Sequence, residues 1–237
     1  MTNTNRRRAR PGAAGAALFL ACGLHPGGEF ARLLGAIQKR AEEGVGGRPN
    51  RWKWECEQFR DYVLFMSNTG LRPDEAARLE FRDVTIVQDW DTQETILEIE
   101  VRGKRGVGYC KSMAGAVRPF ERLRDRPRPN GKLSEDSAGK DDGKLAEKPP
   151  KPTDKLFPNE FKKMFNGILT ENNLKFDRDG KARTAYSLRH SYICFRLLEG
   201  ADIYQIAKNC RTSVEMIEKH YAAHLKDMID TSLINVR

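Results

Sequence analysis

Two stretches in the last third of the chain decide its fold: SLRHSYICFRLLEG, Ser187–Gly200, and NCRTSVEMIEKHYAAH, Asn209–His224. In the first, Leu188, Tyr192, Phe195 and Leu198 recur three and four residues apart, the spacing of one buried helical stripe, with Arg189 and His190 at its head. In the second, Val214, Ile217 and Tyr221 predict another helix carrying a tyrosine on its apolar side. An arginine held by a packed helix, followed by an isolated tyrosine, supplies a cation for phosphate oxygens and an oxygen nucleophile, the parts of a phosphotransferase acting on DNA. Spacing alone equally accommodates Tyr221 as a core aromatic packed with Val214 and Ile217.

Upstream, Trp52, Cys56, Phe59, Val63 and Met66 mark one stripe of a long helix that ends at Asn68-Thr69-Gly70. Pro73 opens the next helix at a first-turn position, where its missing N–H costs nothing. Between Asp83 and Arg102 the period drops to two: Leu97, Ile99 and Val101 alternate with Glu98, Glu100 and Arg102, which predicts a half-buried antiparallel strand. Val84–Val87 is expected to pair with it across Asp89–Gln93, and Gly103–Gly108 to turn into a third short strand. Helical patterns also occupy Phe30–Ala41, Ala114–Arg124, Phe161–Leu169 and Ile203–Ala207. The expected class is α+β, mostly helical with a small three-stranded antiparallel sheet.

The 237 residues carry a formal charge of +9 and a pI of 9.4, an electrostatic preference for a polyanion. Five cysteines (Cys22, Cys56, Cys110, Cys194, Cys210) show no CxxC spacing and four histidines (His25, His190, His220, His224) no HExxH pair. Reduced thiols, a cytoplasmic location and no metal or cofactor are therefore expected. Arg6–Gly23, RRRARPGAAGAALFLACG, superficially reads as a secretory signal, but its apolar part, Ala13–Cys22, is far short of the about 20 residues that span a bilayer. Residues 1–50 are expected to be an N-terminal extension, partly disordered with a short helix, ahead of one domain at 51–237. Within that domain Asp125–Asp154, rich in Pro, Gly, Ser, Lys and Asp, reads as a flexible insert, because it cannot bury enough apolar surface to offset its ordering entropy.

TGLRPDEAARLE at Thr69–Glu80, a strand pair with RGK, then LRH, then the tyrosine helix follow one another in a telling order. In that order and spacing the chain resembles, over Trp52–Leu225, the catalytic domain of the tyrosine recombinases, the phage-integrase family. The resemblance implies an integrase-like DNA breaking-rejoining fold and a site-specific recombinase or integrase. It would act on double-stranded DNA through a 3′-phosphotyrosyl intermediate, self-associating in a synaptic complex, with no membrane partner. By resemblance Tyr221 is the nucleophile, Arg72 and Arg189 hold the scissile phosphate, and Lys104 is the hairpin lysine that protonates the leaving 5′-oxygen; Arg105 or Lys111 could take that last role instead. Guanidinium forks suit the phosphate role because they stay charged and meet its oxygens bidentately. Glu75 is expected to orient Arg72, and His190 to buttress the site.

The chain departs from the commoner pattern at two helper positions. Three residues before Arg189, where the family usually has histidine, stands Tyr186; nine before Tyr221, where histidine or tryptophan usually follows a glycine, stand Arg211 and Thr212. Tyr186 and Thr212 can still donate hydrogen bonds to a phosphate oxygen, and Arg211 adds a charge, but the general base is left open. An alternative is a truncated, catalytically impaired DNA-binding relic, suggested by the few helix-forming residues before Trp52 where recombinases usually carry a core-binding helical domain. A type IB topoisomerase, with similar chemistry, is a third reading.

Overall fold

The computed structural model of the chain describes residues 24, 28–43, 52–103, 106–126, 128–129, 145–146, 150–177 and 179–225. Its elements are α1 (Glu29–Glu42), α2 (Lys53–Thr69), α3 (Pro73–Ala76), β1 (Val84–Gln88), β2 (Thr95–Gly103), β3 (Gly106–Lys111) and α4 (Val117–Asp125), then β4 (Arg128–Pro129) and β5 (Leu145–Ala146), and finally α5 (Lys162–Glu171), α6 (Tyr186–Leu198), α7 (Ile203–Asn209) and α8 (Val214–Leu225). This is the expected mostly helical α+β architecture.

Helix α2 is the hub. Phe59, Val63, Phe65 and Met66 are fully buried along it, and the Phe59 ring lies 5.3 Å from that of Phe161 and 5.7 Å from that of Phe165. Tyr62 meets Phe157 edge-on at 5.0 Å, so one aromatic cluster joins α2 to α5 and the segment before it. A second cluster, Tyr192, Ile193, Leu197, Ile206, Ile217 and Tyr221, binds α6, α7 and α8 together.

The sheet runs β1-β2-β3, antiparallel throughout, with Val84 opposite Ile99 and Ile99 opposite Cys110. Leu97, Ile99 and Val101 face the core and Glu98 and Arg102 face solvent, which is the alternation read from the sequence. Helix α3 lasts a single turn: Ala77 and Arg78 form a turn, and the chain then leads into the sheet.

Two segments are fastened more firmly than composition suggested. Leu33 and Ile37 of α1 are fully buried in the main core, and Arg183, 2% exposed, donates to Glu29 Oε2 at 2.8 Å and to Leu174 O at 3.1 Å. The Leu24 N–H donates to Ser191 Oγ of α6 at 2.7 Å. The helix within residues 1–50 is thus part of the same core as the rest. At the insert, buried Asp61 accepts Arg122 Nε at 2.8 Å and also holds Arg126, while Phe81 N and Arg82 N donate to Asp154 O and Pro152 O at 3.1 and 2.9 Å. Strand β4 pairs with β5, Arg128 opposite Ala146. The flexibility expected of the rest of the insert and the disorder expected before Leu24 fall outside the described residues.

Truncating Ile37 tests whether α1 belongs to the core. Ile37→Ala should lower the unfolding free energy by about 2–5 kcal/mol, as buried Ile-to-Ala changes do. Urea denaturation would read this as a lower midpoint at unchanged slope; an unmoved midpoint would make α1 a loose appendage.

Candidate active site

Arg189 lies in the first turn of α6 and is 2% exposed. Its Nη1 donates to Gly70 O and its Nη2 to Cys210 O, both at 2.6 Å. Gly70 caps the C-terminus of α2 and Cys210 that of α7, so the guanidinium closes over the carbonyl ends of two helices, where the macrodipoles are negative. Gly70 is required twice over: its φ is 65°, and a Cβ there would fall 2.4 Å from Tyr192 Cδ1.

Arg72 follows two residues later, with Nη1 3.2 Å from Glu75 Oε1 and Nη2 donating to Arg211 O at 3.1 Å. Glu75, 3% exposed, accepts the Arg72 N–H on Oε2 at 2.8 Å and pairs with Arg211 Nη2 on the same oxygen. Burial works against the Arg72 cation, but hydrogen bonding to Tyr186 and the Glu75 charge outweigh it and hold its pKa above the ordinary value. One carboxylate therefore serves two guanidiniums, and the pocket retains positive charge. The end of β2 arrives at the same point, for a Cβ on Gly103 would stand 3.6 Å from Glu75 Oε1. Lys104 itself, like Arg105, lies outside the described residues; Lys111 is instead paired with Asp89 at 3.0 Å.

Arg211 has φ 51°, left-handed for a residue that is not glycine. Its side chain crosses β3 at Gly108, where a Cβ would stand 2.9 Å from Arg211 Cδ. Below it the Cys110 thiol is pushed up to about 12 by burial, against the pull of Arg211, which keeps it an unreactive thiol. Thr212, half-buried, is held by its N–H to Ala207 O at 2.9 Å.

Tyr221, 4% exposed, places Oη in hydrogen-bond contact with His190 Nδ1, the two rings 5.6 Å apart. The Tyr186 ring meets the other side of the pair, 5.1 Å from His190 and edge-on. Burial, then His220 and Arg189, lower the His190 pKa from 6.5 to about 4, so the imidazole is neutral near pH 7. Arg72, Glu75, Tyr186, Arg189, His190, Arg211 and Tyr221 thus form one contiguous group. The sequence reading did not foresee the Glu75–Arg211 pair, 136 residues apart, or the close passage at Gly108. A glycine inside a strand is the signal that could have found the latter.

No protein-family model matches the sequence, and no characterised protein sequence matches it significantly. Solved structures do. The chain is similar to the XerH site-specific recombinase bound to difH substrate in a pre-cleavage complex, with a TM-score of 0.54 at 15% identity, over 92% of this chain and 55% of that one. It is also similar to XerH on a palindromic difH substrate after cleavage (0.51, 15%, 84% and 49%) and to the XerA recombinase (0.50, 18%, 88% and 63%). The chain therefore spans about half to under two thirds of the length of these recombinases. At such identities the likeness is one of fold: the chain has the integrase catalytic-domain fold of the tyrosine recombinases.

Glu75→Ala should leave Arg72 and Arg211 facing each other and cost about 3 kcal/mol of stability, the lower end for a buried pair. Both arginine side chains keep some exposure, 22% and 18%, which softens the loss. Adding Arg211→Met should restore part of it, a non-additivity measurable by urea unfolding of the double mutant. His190 contributes a pH dependence. Its folded pKa lies below its unfolded one, so the unfolded chain takes the proton first, and its contribution is whole above about pH 6.5 and lost as pH falls towards 4. His190→Asn should remove that portion of the slope of unfolding free energy against pH, and an unchanged slope would contradict a buried neutral imidazole.

Proposed function

We propose that the chain is the catalytic portion of a site-specific recombinase or integrase, which breaks and rejoins double-stranded DNA through a 3′-phosphotyrosyl intermediate. The observation that carries this reading is the contact of Tyr221 Oη with His190, one residue from Arg189, with the Tyr186 ring 5.1 Å from that imidazole and its hydroxyl helping to hold the Arg72 charge. A phenol oxygen and guanidinium cations then lie within one connected group.

In this reading a scissile phosphate displaces part of the Glu75 interaction with Arg72 and Arg211, whose forks then bind its non-bridging oxygens. Arg189 supports both corners of the site through Gly70 and Cys210 and adds its charge to the field. Tyr221 attacks phosphorus, the 5′-oxygen leaves, and the phosphotyrosyl ester conserves the bond energy for religation. Lys104 is the proposed acid for that oxygen, and Thr212 a further donor to the phosphate. The net charge of +9 favours the DNA encounter, and strand exchange implies self-association on DNA.

A second reading, a DNA-binding relic without turnover, draws on the closure of the site: Arg189 is 2% and Tyr221 4% exposed, and Glu75 already occupies two arginines. Covalent trapping separates the two. On a nicked suicide duplex the protein should form a DNA-linked species that survives denaturing electrophoresis, and Tyr221→Phe should abolish it while binding persists. Arg72→Ala should slow its formation by about 100- to 1000-fold, the usual effect of removing one donor from a developing oxyanion. Chelator should change nothing. An adduct formed by the phenylalanine variant, or cleavage that needs magnesium, would overturn the mechanism; absence of any adduct would favour the relic.

A further inference from the structure

We propose that His190 is the base of the reaction, taking the phenolic proton of Tyr221 on Nδ1 as its oxygen attacks phosphorus. The inference rests on the phosphotyrosyl reading and adds the proton acceptor that reading lacks.

Three observations carry it. His190 Nδ1 is in hydrogen-bond contact with Tyr221 Oη, the reacting atom. Tyr186, one helical turn earlier on the same face of α6, is a phenol whose hydroxyl acts on the Arg72 charge, and it offers no ring nitrogen to accept the Tyr221 proton. Finally, burial, then His220 on α8 and Arg189 beside it on α6, keep the imidazole neutral, the other groups facing it being the uncharged phenols Tyr221 on α8 and Tyr186 across its edge. A neutral ring with its proton on Nε2 presents Nδ1 as an acceptor. The resting ring is a weak base, lowered to about 4. An entering phosphate brings a negative charge beside Arg189, and that favours the imidazolium.

The step balances. The Oη–P bond forms, the P–O5′ bond breaks with its electron pair on O5′, and the phenolic proton passes to Nδ1 to give an imidazolium. The departing O5′ takes a proton from an ammonium group, the role proposed for Lys104. In religation the incoming 5′-hydroxyl returns that proton, its oxygen attacks phosphorus, and Oη leaves and recovers its own proton from His190. One base thus serves both directions.

The test follows adduct formation on the nicked suicide duplex by wild type and His190→Gln, whose amide oxygen still accepts a hydrogen bond from Tyr221 but cannot carry a proton. Gln should slow the adduct by about 100-fold or more, within the range for general-base removal. Its rate should climb roughly tenfold per pH unit near neutrality, where wild type is flat, because hydroxide must then ionise the phenol. A 5′-bridging phosphorothiolate, whose leaving sulfur needs no acid, should not restore the rate. Added imidazole should partly rescue His190→Gly, which decides the matter even where the Gln variant unfolds. A Gln variant within about threefold of wild type with a flat profile, rescue by the phosphorothiolate, or no imidazole rescue would each overturn the assignment while leaving the recombinase reading intact. No adduct from wild type would instead remove both.

Discussion

The site depends on one buried cation. Arg189 has lost its water, and a guanidinium in that position is tolerated only where fixed acceptors replace the solvent. Gly70 O and Cys210 O do so at 2.6 Å each, and both are C-terminal carbonyls of helices. The interaction therefore works in both directions: two helix ends stabilise the charge, and the charge holds two corners of the chain together. Those corners carry Arg72 two residues beyond the first and Arg211 one residue beyond the second. With Arg189 replaced by a neutral residue, orphaned carbonyls would be left inside the molecule and both neighbouring arginines would lose their common reference point.

Around that clasp the charges are unbalanced by design of the packing. Glu75 is the acceptor for Arg72 and Arg211 together, and its own burial makes it a strong partner for each. A single carboxylate cannot neutralise two guanidiniums, and Arg189 is answered by carbonyl dipoles rather than by an anion. The remaining positive charge would have a complement in a phosphodiester, whose single negative charge would offset part of it. Burial, then His220 and Arg189, weaken His190 as a resting base, and arrival of an anion would strengthen it. In the proposed reaction, charge and proton transfer would be linked through one event, the entry of substrate.

Much of the fold was readable from periodicity, because its main elements are amphipathic with one buried face. The stripe from Cys56 to Met66 becomes the buried face of α2, while Trp52, read as its first member, caps the helix and stays 41% exposed; the alternation at Leu97, Ile99 and Val101 becomes β2, and Leu188 and Tyr192 bury one side of α6. What periodicity missed lies in contacts between residues distant in the chain. Nothing local says that Glu75 meets Arg211 or that Tyr186 helps hold the Arg72 charge, since a charged side chain on a turn looks the same whether it ends in solvent or on a partner. The role of α1 was underestimated for a related reason: Leu33 and Ile37 are ordinary helix residues until the acceptors of Arg183 and the faces of α2 and α5 are known. The sequence places His190 beside Arg189 but says nothing of its partner on α8. Only the fold brings Tyr221 of α8 against its Nδ1.

Arg211 has the most strained backbone among the residues of this group. A side chain in the left-handed region costs about 1–2 kcal/mol, and glycine or asparagine would sit there more easily. Glycine would keep the carbonyl that receives Arg72 but lose the guanidinium that shares Glu75, while asparagine is too short to cross Gly108. The strain is offset only by contacts that a long cation makes, and the strand beneath has given up a side chain to let it pass. Two local costs, a left-handed arginine and a glycine within β3, are thus accepted at the same place for one result, a second guanidinium beside Arg72. That coincidence ties Arg211 to the group around Glu75 rather than to the solvent-facing surface.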